Sequence, residues 1–188
     1  MSTLDSGIKN LYKEVRTIRD MEGKEFQTIV IFIRNKIINS IRKKYDPCYI
    51  SVKSHITLVY PFMTKNQEAL HKHINDTLPK KFNITLKGLK RSAKEHYLYL
   101  LVSQNKSKII NLHKKLNSEM LSGVKNPNMP QYVPHITLGI FKTKKQINDT
   151  IKELKKQKIE LTFKIDEISL LTLRQDSSIK SIKSLKLK

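Results

Sequence analysis

The sequence predicts an α+β fold in which strands and helices alternate along one chain of 188 residues. Short runs rich in β-branched and apolar residues are typical of strands. Segments with apolar residues at helical spacing lie between these runs. The four-residue word His-Ile-Thr-Leu occurs twice, each time in a predicted strand that a predicted helix follows. The predicted order is strand, helix, strand, helix, two strands, helix, strand, helix and two or three strands.

The repeated word occupies residues 55–58 in SHITLVYPF and residues 135–138 in PHITLGIF. We predict one strand at about residues 50–60 and another at 132–141. Side chains two residues apart in a strand point to the same face. The histidine and threonine of each word therefore share one face, while the isoleucine and leucine share the other and can enter a core. Two such strands could present two imidazoles and two hydroxyls to one shallow cleft.

This set of side chains suits phosphodiester cleavage. One proton must leave the attacking oxygen and another must reach the departing oxygen. Histidine titrates near neutral pH, so one imidazole can be neutral while the other is protonated. A threonine hydroxyl can donate to a non-bridging phosphate oxygen. Neither word contains Asp, Glu or Cys, and threonine is a poor zinc ligand. We therefore predict neither a metal nor a cofactor.

Paired His-x-Thr-Leu words, 80 residues apart, resemble those of the two-histidine (2H) phosphoesterase superfamily, which includes bacterial 2′-5′ RNA ligase and cyclic phosphodiesterase proteins. The resemblance covers roughly residues 26–174. It implies a two-lobed, pseudo-symmetric α+β fold, with antiparallel sheets, helices on the outer faces and a central groove. It also implies a metal-independent phosphoesterase that acts on 2′,3′-cyclic phosphate or 2′-5′ linkages of RNA or nucleotides.

The same resemblance assigns roles to four side chains. His55 and His135 would be catalytic, with His135 as base and His55 as acid, and Thr57 and Thr137 would hold the phosphate. Several relatives carry a basic residue soon after the second word, whereas residues 139–141 here are Gly-Ile-Phe. That departure keeps open a second hypothesis, in which a non-catalytic module binds nucleotides or RNA ends.

Tyr132 is a further candidate for substrate binding, because an aromatic ring beside the second word could stack on a base or ribose. It lies an odd number of residues from His135, so a regular strand would turn it away from the cleft. Pro134 could alter that alternation. Packing in the core or at the rim is the alternative role for Tyr132, and the sequence does not decide between the two.

The formal charge is +21, from 37 Lys plus Arg against 16 Asp plus Glu. Such an excess favours polyanions, most simply RNA, or anionic membrane surfaces. Only six of the 37 are Arg, and a codon bias toward A and T would produce the same skew. A single cysteine, Cys48, excludes an internal disulfide and suits a reducing compartment. Without a membrane-length apolar run or a signal pattern, we expect a soluble cytoplasmic protein, by default a monomer.

Residues 1–22 are predicted to be an N-terminal amphipathic extension, and residues 23–188 a single two-lobed domain. Five apolar residues of the extension recur at helical spacing within residues 4–20. We favour a helix packed on the domain surface over a segment that binds a partner or a membrane. These five residues are Ile8, Leu11, Tyr12, Val15 and Ile18.

The remaining segments follow from apolar periodicity and turn residues. Residues 26–33 should be a central strand buried on both faces, and Asn35 should cap the next helix, with Ile37, Ile38 and Ile41 on its inner side. His71 and His73 are expected on the surface, and a loop at residues 122–131 is expected beside the cleft. The tail from residue 175 either frays or adds a strand. Further helices are predicted at 66–78, from about 106, and at 144–156, and strands at 82–89, 96–102, 159–165 and 167–173.

Overall fold

The computed structural model describes residues 25–92, 96–124 and 131–188. The predicted N-terminal helix at residues 4–20 lies outside the described residues, as does most of the loop beside the cleft. A short 3-10 helix covers Glu119–Leu121. The other elements are β1 Phe26–Phe32, α1 Lys36–Tyr45, β2 His55–Phe62, α2 Gln67–Thr77, β3 Phe82–Arg91, β4 Tyr97–Gln104, α3 Lys106–Leu116, β5 His135–Ile140, α4 Lys144–Lys155, β6 Glu160–Ile165, β7 Glu167–Leu173 and β8 Ile179–Lys186.

The strands form two four-stranded sheets, and every pairing in them is antiparallel. The first sheet has the order β2-β1-β7-β8, and the second has the order β5-β4-β3-β6. Each His-Ile-Thr-Leu strand is therefore an edge strand, and β2 and β5 contact each other. The predicted α+β class with antiparallel sheets is confirmed. The tail forms β8, so of the two alternatives for it the added strand is correct.

One cluster of buried apolar side chains draws on both sheets and on the helices. Ile56 and Leu58 of the first word and Ile136 and Leu138 of the second all belong to it. Each word therefore anchors its strand through two core side chains, as the alternation predicts. The histidine and threonine of each word are consequently held on the opposite face, where they remain partly exposed.

Two helices each pack against a strand of the sheet to which their neighbouring strands do not belong. In the following, each sheet with the helices that connect its strands is called a lobe. The Asn35 side chain accepts hydrogen bonds from the amides of Ile37 and Ile38, so α1 begins where the sequence predicts. Although α1 connects two strands of the first sheet, it packs against β5 of the second, and α3 packs against β2 of the first. Each helix that precedes a His-Ile-Thr-Leu strand therefore supports the corresponding strand of the other lobe.

Two predictions about individual residues are wrong. His73 is only 8% exposed and not on the surface, because its Nε2–H donates to the carbonyl oxygen of Leu116, 3.0 Å away, between α2 and α3. Ile37 is 46% exposed and not on the inner side of α1. Ile38 and Ile41 define the buried face of that helix. The other predicted surface histidine, His71, is partly exposed.

Candidate active site

The two His-Ile-Thr-Leu strands share an irregularity at the same position. The pairing of β2 with β1, and of β5 with β4, shifts by one residue immediately after the threonine. Leu58 and Leu138 are the extra residues, which is the pattern of a β-bulge. Because a bulge interrupts the alternation, the following residues, Val59 and Gly139, are buried together with the leucines. The backbone of the His-Ile-Thr-Leu segment therefore has the same irregular geometry in β2 and in β5.

The two histidines are tethered in the same way. The Nδ1 of His55 lies 2.8 Å from the carbonyl oxygen of Lys53, and the Nδ1 of His135 lies 2.7 Å from that of Val133. A carbonyl oxygen can only accept, so each Nδ1 carries the hydrogen and donates it. The Nε2 of each neutral ring is then left with its lone pair available. Two rings with this tautomer are suited to accept a proton from a substrate.

Both imidazoles are shifted toward the neutral form. The pKa of His135 is lowered to about 4, mainly because the ring is buried; the hydrogen bond to the Val133 carbonyl opposes this shift, and the neighbouring His55 adds a smaller lowering effect. Burial also lowers the pKa of His55. Both shifts favour the neutral imidazole at neutral pH. The effect of His55 on His135 agrees with the contact between β2 and β5, the strands that carry the two rings.

A buried ion pair that the sequence analysis missed lies near His55. The guanidinium of Arg42 donates to Oδ2 of Asp46 over 2.9 and 2.6 Å, and both side chains are almost fully buried. The charge of Arg42 lowers the pKa of His55, while that of Asp46 raises it. The spacing of four residues, directly after the inward-facing Ile41, was the available sequence signal.

An aromatic side chain supports the second histidine. The ring centroids of Tyr99 and His135 are 3.9 Å apart, with the rings tilted by 37°. Tyr99 lies on β4 directly opposite Thr137, so the two side chains share a face of the second sheet. This contact contributes to the burial that lowers the pKa of the imidazole.

A further group of side chains holds the edge of β2. The hydroxyl of Tyr132 donates to the carbonyl oxygen of Thr57, 2.8 Å away, and its ring stacks on His113 at 3.6 Å between centroids. The Nδ1–H of His113 and the side-chain amide of Asn117 both donate to the carbonyl oxygen of Leu58, at 2.7 and 2.9 Å. Two backbone carbonyl groups on the outer edge of β2 therefore accept hydrogen bonds from side chains of the other lobe.

Tyr132 is thus engaged with protein on its hydroxyl and one ring face. Burial raises the pKa of its phenol, so the hydroxyl stays protonated and remains a donor. This arrangement gives Tyr132 a positioning contact with the first word. Its predicted contact with substrate stays a prediction. His113 was predicted only as part of a helix, because nothing in the local sequence indicated its contact with a strand 55 residues away.

The backbone at Gly139, directly after the second word, is too closely packed for any side chain. A Cβ atom at this position would lie 2.7 Å from Cβ and 2.9 Å from the carbonyl oxygen of Tyr45, at the end of α1. Such distances are shorter than van der Waals contact, so only glycine allows the helix to approach β5 this closely. The packing between α1 and β5 therefore excludes a basic side chain at position 139.

Within residues 25–92, 96–124 and 131–188, no group of three or more His, Cys, Asp or Glu side chains could hold a metal ion. No helix in those same ranges is long and apolar enough to cross a membrane.

The sequence model of the 2′-5′ RNA ligase superfamily matches residues 32–177. A protein of Geobacillus thermodenitrificans, provisionally named a phosphoesterase, is 32% identical over 149 residues, which cover 74% of this chain and 82% of the relative. A second such protein, from Geobacillus kaustophilus, is 32% identical over 162 residues and covers 80% and 89% of the two chains. The chain therefore belongs to the 2′-5′ RNA ligase superfamily, and the resemblance to the 2H phosphoesterases is confirmed.

Solved structures agree on the fold. The crystal structure of E. coli LigT in apo form superposes with a TM-score of 0.53 at 18% identity, covering 87% of this chain and 95% of LigT. Another crystal structure, described as a phosphoesterase, has a TM-score of 0.54 at 15% identity and covers 86% and 98%. The two-lobed 2H phosphoesterase fold that the sequence predicts is therefore confirmed.

Proposed function

We propose that this protein is a metal-independent phosphoesterase that cleaves a 2′,3′-cyclic phosphate, or cleaves or joins a 2′-5′ linkage, in RNA or nucleotides. One observation carries the proposal. Two histidines on neighbouring edge strands have the same tautomer, the same tether to the carbonyl two residues before, and a threonine on the same face. The same arrangement at both positions is readily explained if both imidazoles act on one substrate.

The proposed reaction moves two protons. The Nε2 of His135 takes a proton from water as the water oxygen attacks the phosphorus atom of the cyclic phosphate. The bond from phosphorus to one ribose oxygen breaks, and Nε2–H of a protonated His55 gives its proton to that oxygen. In the ligation direction a ribose hydroxyl takes the place of water. The choice of His135 as base and His55 as acid rests on the family resemblance.

The hydroxyls of Thr57 and Thr137 complete the proposed site. Each lies two residues beyond a histidine on the same face, where it can donate to a non-bridging oxygen as negative charge builds up. In the ligand-free protein both imidazoles are neutral, so one must gain a proton. A bound phosphate anion favours the charged form of a nearby imidazole and would supply that asymmetry.

Two structural neighbours support a nucleotide substrate by analogy of fold. E. coli LigT has been crystallised as a complex with 3′-AMP, and that structure superposes with a TM-score of 0.52 at 16% identity. Usb1 of Kluyveromyces marxianus has been crystallised with uridine monophosphate, and that structure superposes with a TM-score of 0.50 at 10% identity. The strongly basic composition agrees with an RNA substrate. We therefore propose that the same site binds RNA as well as small nucleotides.

Hydrolysis of nucleoside 2′,3′-cyclic phosphates tests the proposal. We expect turnover that persists in excess EDTA and shows a bell-shaped pH dependence. His55→Ala and His135→Ala should each lower turnover at least about 100-fold, as expected for loss of a general acid or base. His71→Ala on α2 is the matched control and should retain full activity. Full activity of the His135→Ala protein would contradict the proposal, and saturable binding without any product over hours would favour the non-catalytic module.

A further inference from the structure

A lysine of the second sheet lies in one row with the second word. Tyr99 of β4 is directly opposite Thr137, and its ring contacts His135, so Tyr99 projects from the face that bears the candidate site. On its other side, Tyr99 is directly opposite Lys90 of β3. Directly opposite residues of an antiparallel pair project from the same face. Thr137, Tyr99 and Lys90 therefore form a row across three strands of this face.

The corresponding row of the first sheet carries no charge. Thr57 lies opposite Val30, and Val30 lies opposite Ser169. Val30 is 1% exposed and Ser169 is 2% exposed, whereas Lys90 is an exposed residue. Because the first word forms the same bulged strand without such a cation, the lysine is not needed to build a His-Ile-Thr-Leu strand. Its place beside the candidate site is explained instead by an anionic ligand.

The ammonium group of Lys90 is available to such a ligand. Lys87, three residues earlier on β3, is paired with Glu160 on β6 over 2.8 Å. Lys90 has no comparable ion pair within residues 25–92, 96–124 and 131–188. No basic side chain follows the second word within residues 139–141 either. Lys90 is therefore the cation that the row itself places toward the site.

The spacing in the row separates this cation from the reacting phosphate. Two strand spacings of about 4.8 Å place the backbones of Lys90 and Thr137 roughly 10 Å apart. The Tyr99 side chain lies between them and is 7% exposed. The flexible four-carbon stem of lysine carries its ammonium group over such a neighbour. An anion that lies next to the phosphate at Thr137 suits this position better than that phosphate itself.

We propose that Lys90 binds the phosphate of the nucleotide adjacent to the reacting one, so that the site takes the end of a single-stranded RNA. In such a chain the adjacent phosphate is the next anion along the backbone. Tyr97 lies two residues before Tyr99 on the same strand face and is partly exposed, so it offers an aromatic surface to a base. The assignment rests on the proposed function, which places the reacting phosphate between the two words.

Binding of two probes separates the adjacent phosphate from the reacting one. The first probe is adenosine 3′-monophosphate, and the second is a short single-stranded oligoadenylate that ends in a 3′-phosphate. Lys90→Gln should weaken binding of the oligoadenylate at least about fivefold more than binding of the mononucleotide, because it removes a charged hydrogen bond. The plot of log affinity against log salt for the oligoadenylate should also become less steep by about 0.7, as expected for one lost phosphate contact to a single strand.

Two further variants serve as controls, and thermal unfolding verifies that each variant is folded. Lys90→Arg keeps the charge and should keep the affinity for the oligoadenylate. Arg91 lies opposite Leu98 of the main core and thus on the other face, so Arg91→Gln should bind both probes like the natural protein. Equal weakening of both probes by Lys90→Gln, or an unchanged salt dependence, would overturn the assignment while the proposed function stands. Failure of the natural protein to bind either probe would overturn both.

Discussion

The hydroxyl of Tyr132 donates a hydrogen bond to the carbonyl oxygen of Thr57, 2.8 Å away, and so joins the approach to the second word to the backbone of the first. The same tyrosine stacks on His113, which donates to the carbonyl oxygen of Leu58. Through these contacts, side chains of the other lobe fix the bulged part of β2. They supply a physical reason why two distant words keep a fixed relation to each other.

Replacing Tyr132 by Phe should separate the contributions of the hydroxyl and the ring. The stacking on His113 would remain, while the Thr57 carbonyl would lose its donor, so we expect the free energy of unfolding to fall by about 1 kcal/mol. Urea unfolding measures the change. Tyr49→Phe, in the loop after α1, is the control and should change stability by less than about 0.5 kcal/mol. Equal effects of the two substitutions would argue against the proposed bracing role.

A methyl group at position 139 should destabilise the protein. In Gly139→Ala the new Cβ would lie 2.7 Å from Cβ of Tyr45, so α1 or β5 must move, at a cost of about 1–3 kcal/mol. Thermal or urea unfolding would show the loss. Gly123→Ala is a matched control, because a Cβ there would meet nothing within 4 Å. If both variants are equally stable, the close approach of α1 to β5 is not as described.

The pKa of His135 predicts the response of the free protein to acid. Its resonances in an NMR titration should move near pH 4 and not near the usual 6.5. Because the folded state binds this proton less readily than the unfolded state, the contribution of His135 to stability is complete above about pH 6.5. It is lost as the pH falls from about 6.5 toward 4. In His135→Asn the dependence of stability on pH should be weaker over this window, and an unchanged dependence would contradict the shift.

Local sequence pattern was sufficient for much of the fold. The predicted bounds of the last strand before the tail, residues 167–173, coincide with β7, and the cap at Asn35 lies where the sequence places it. The words themselves indicated which side chains face the core, because alternation along a strand is a local property. Their histidines could be paired only through the family resemblance.

The rest depends on contacts between distant segments. The bulges at Leu58 and Leu138 interrupt the alternation, and no local signal marks them. His73 and His113 were missed because their partners lie more than 40 residues away in the chain. The absence of a basic residue at Gly139 was visible in the sequence, but the packing that excludes one there depends on the position of Tyr45.

The central claim is that His55 and His135 serve one phosphate site. Titration of the protein with a nucleoside 3′-monophosphate, followed through the imidazole NMR signals of both residues, tests this most directly. We predict that both rings shift together with a single dissociation constant and a stoichiometry of one, and that both pKa values rise in the complex because the bound anion favours the protonated rings. A response of only one ring, or two different dissociation constants, would contradict the claim.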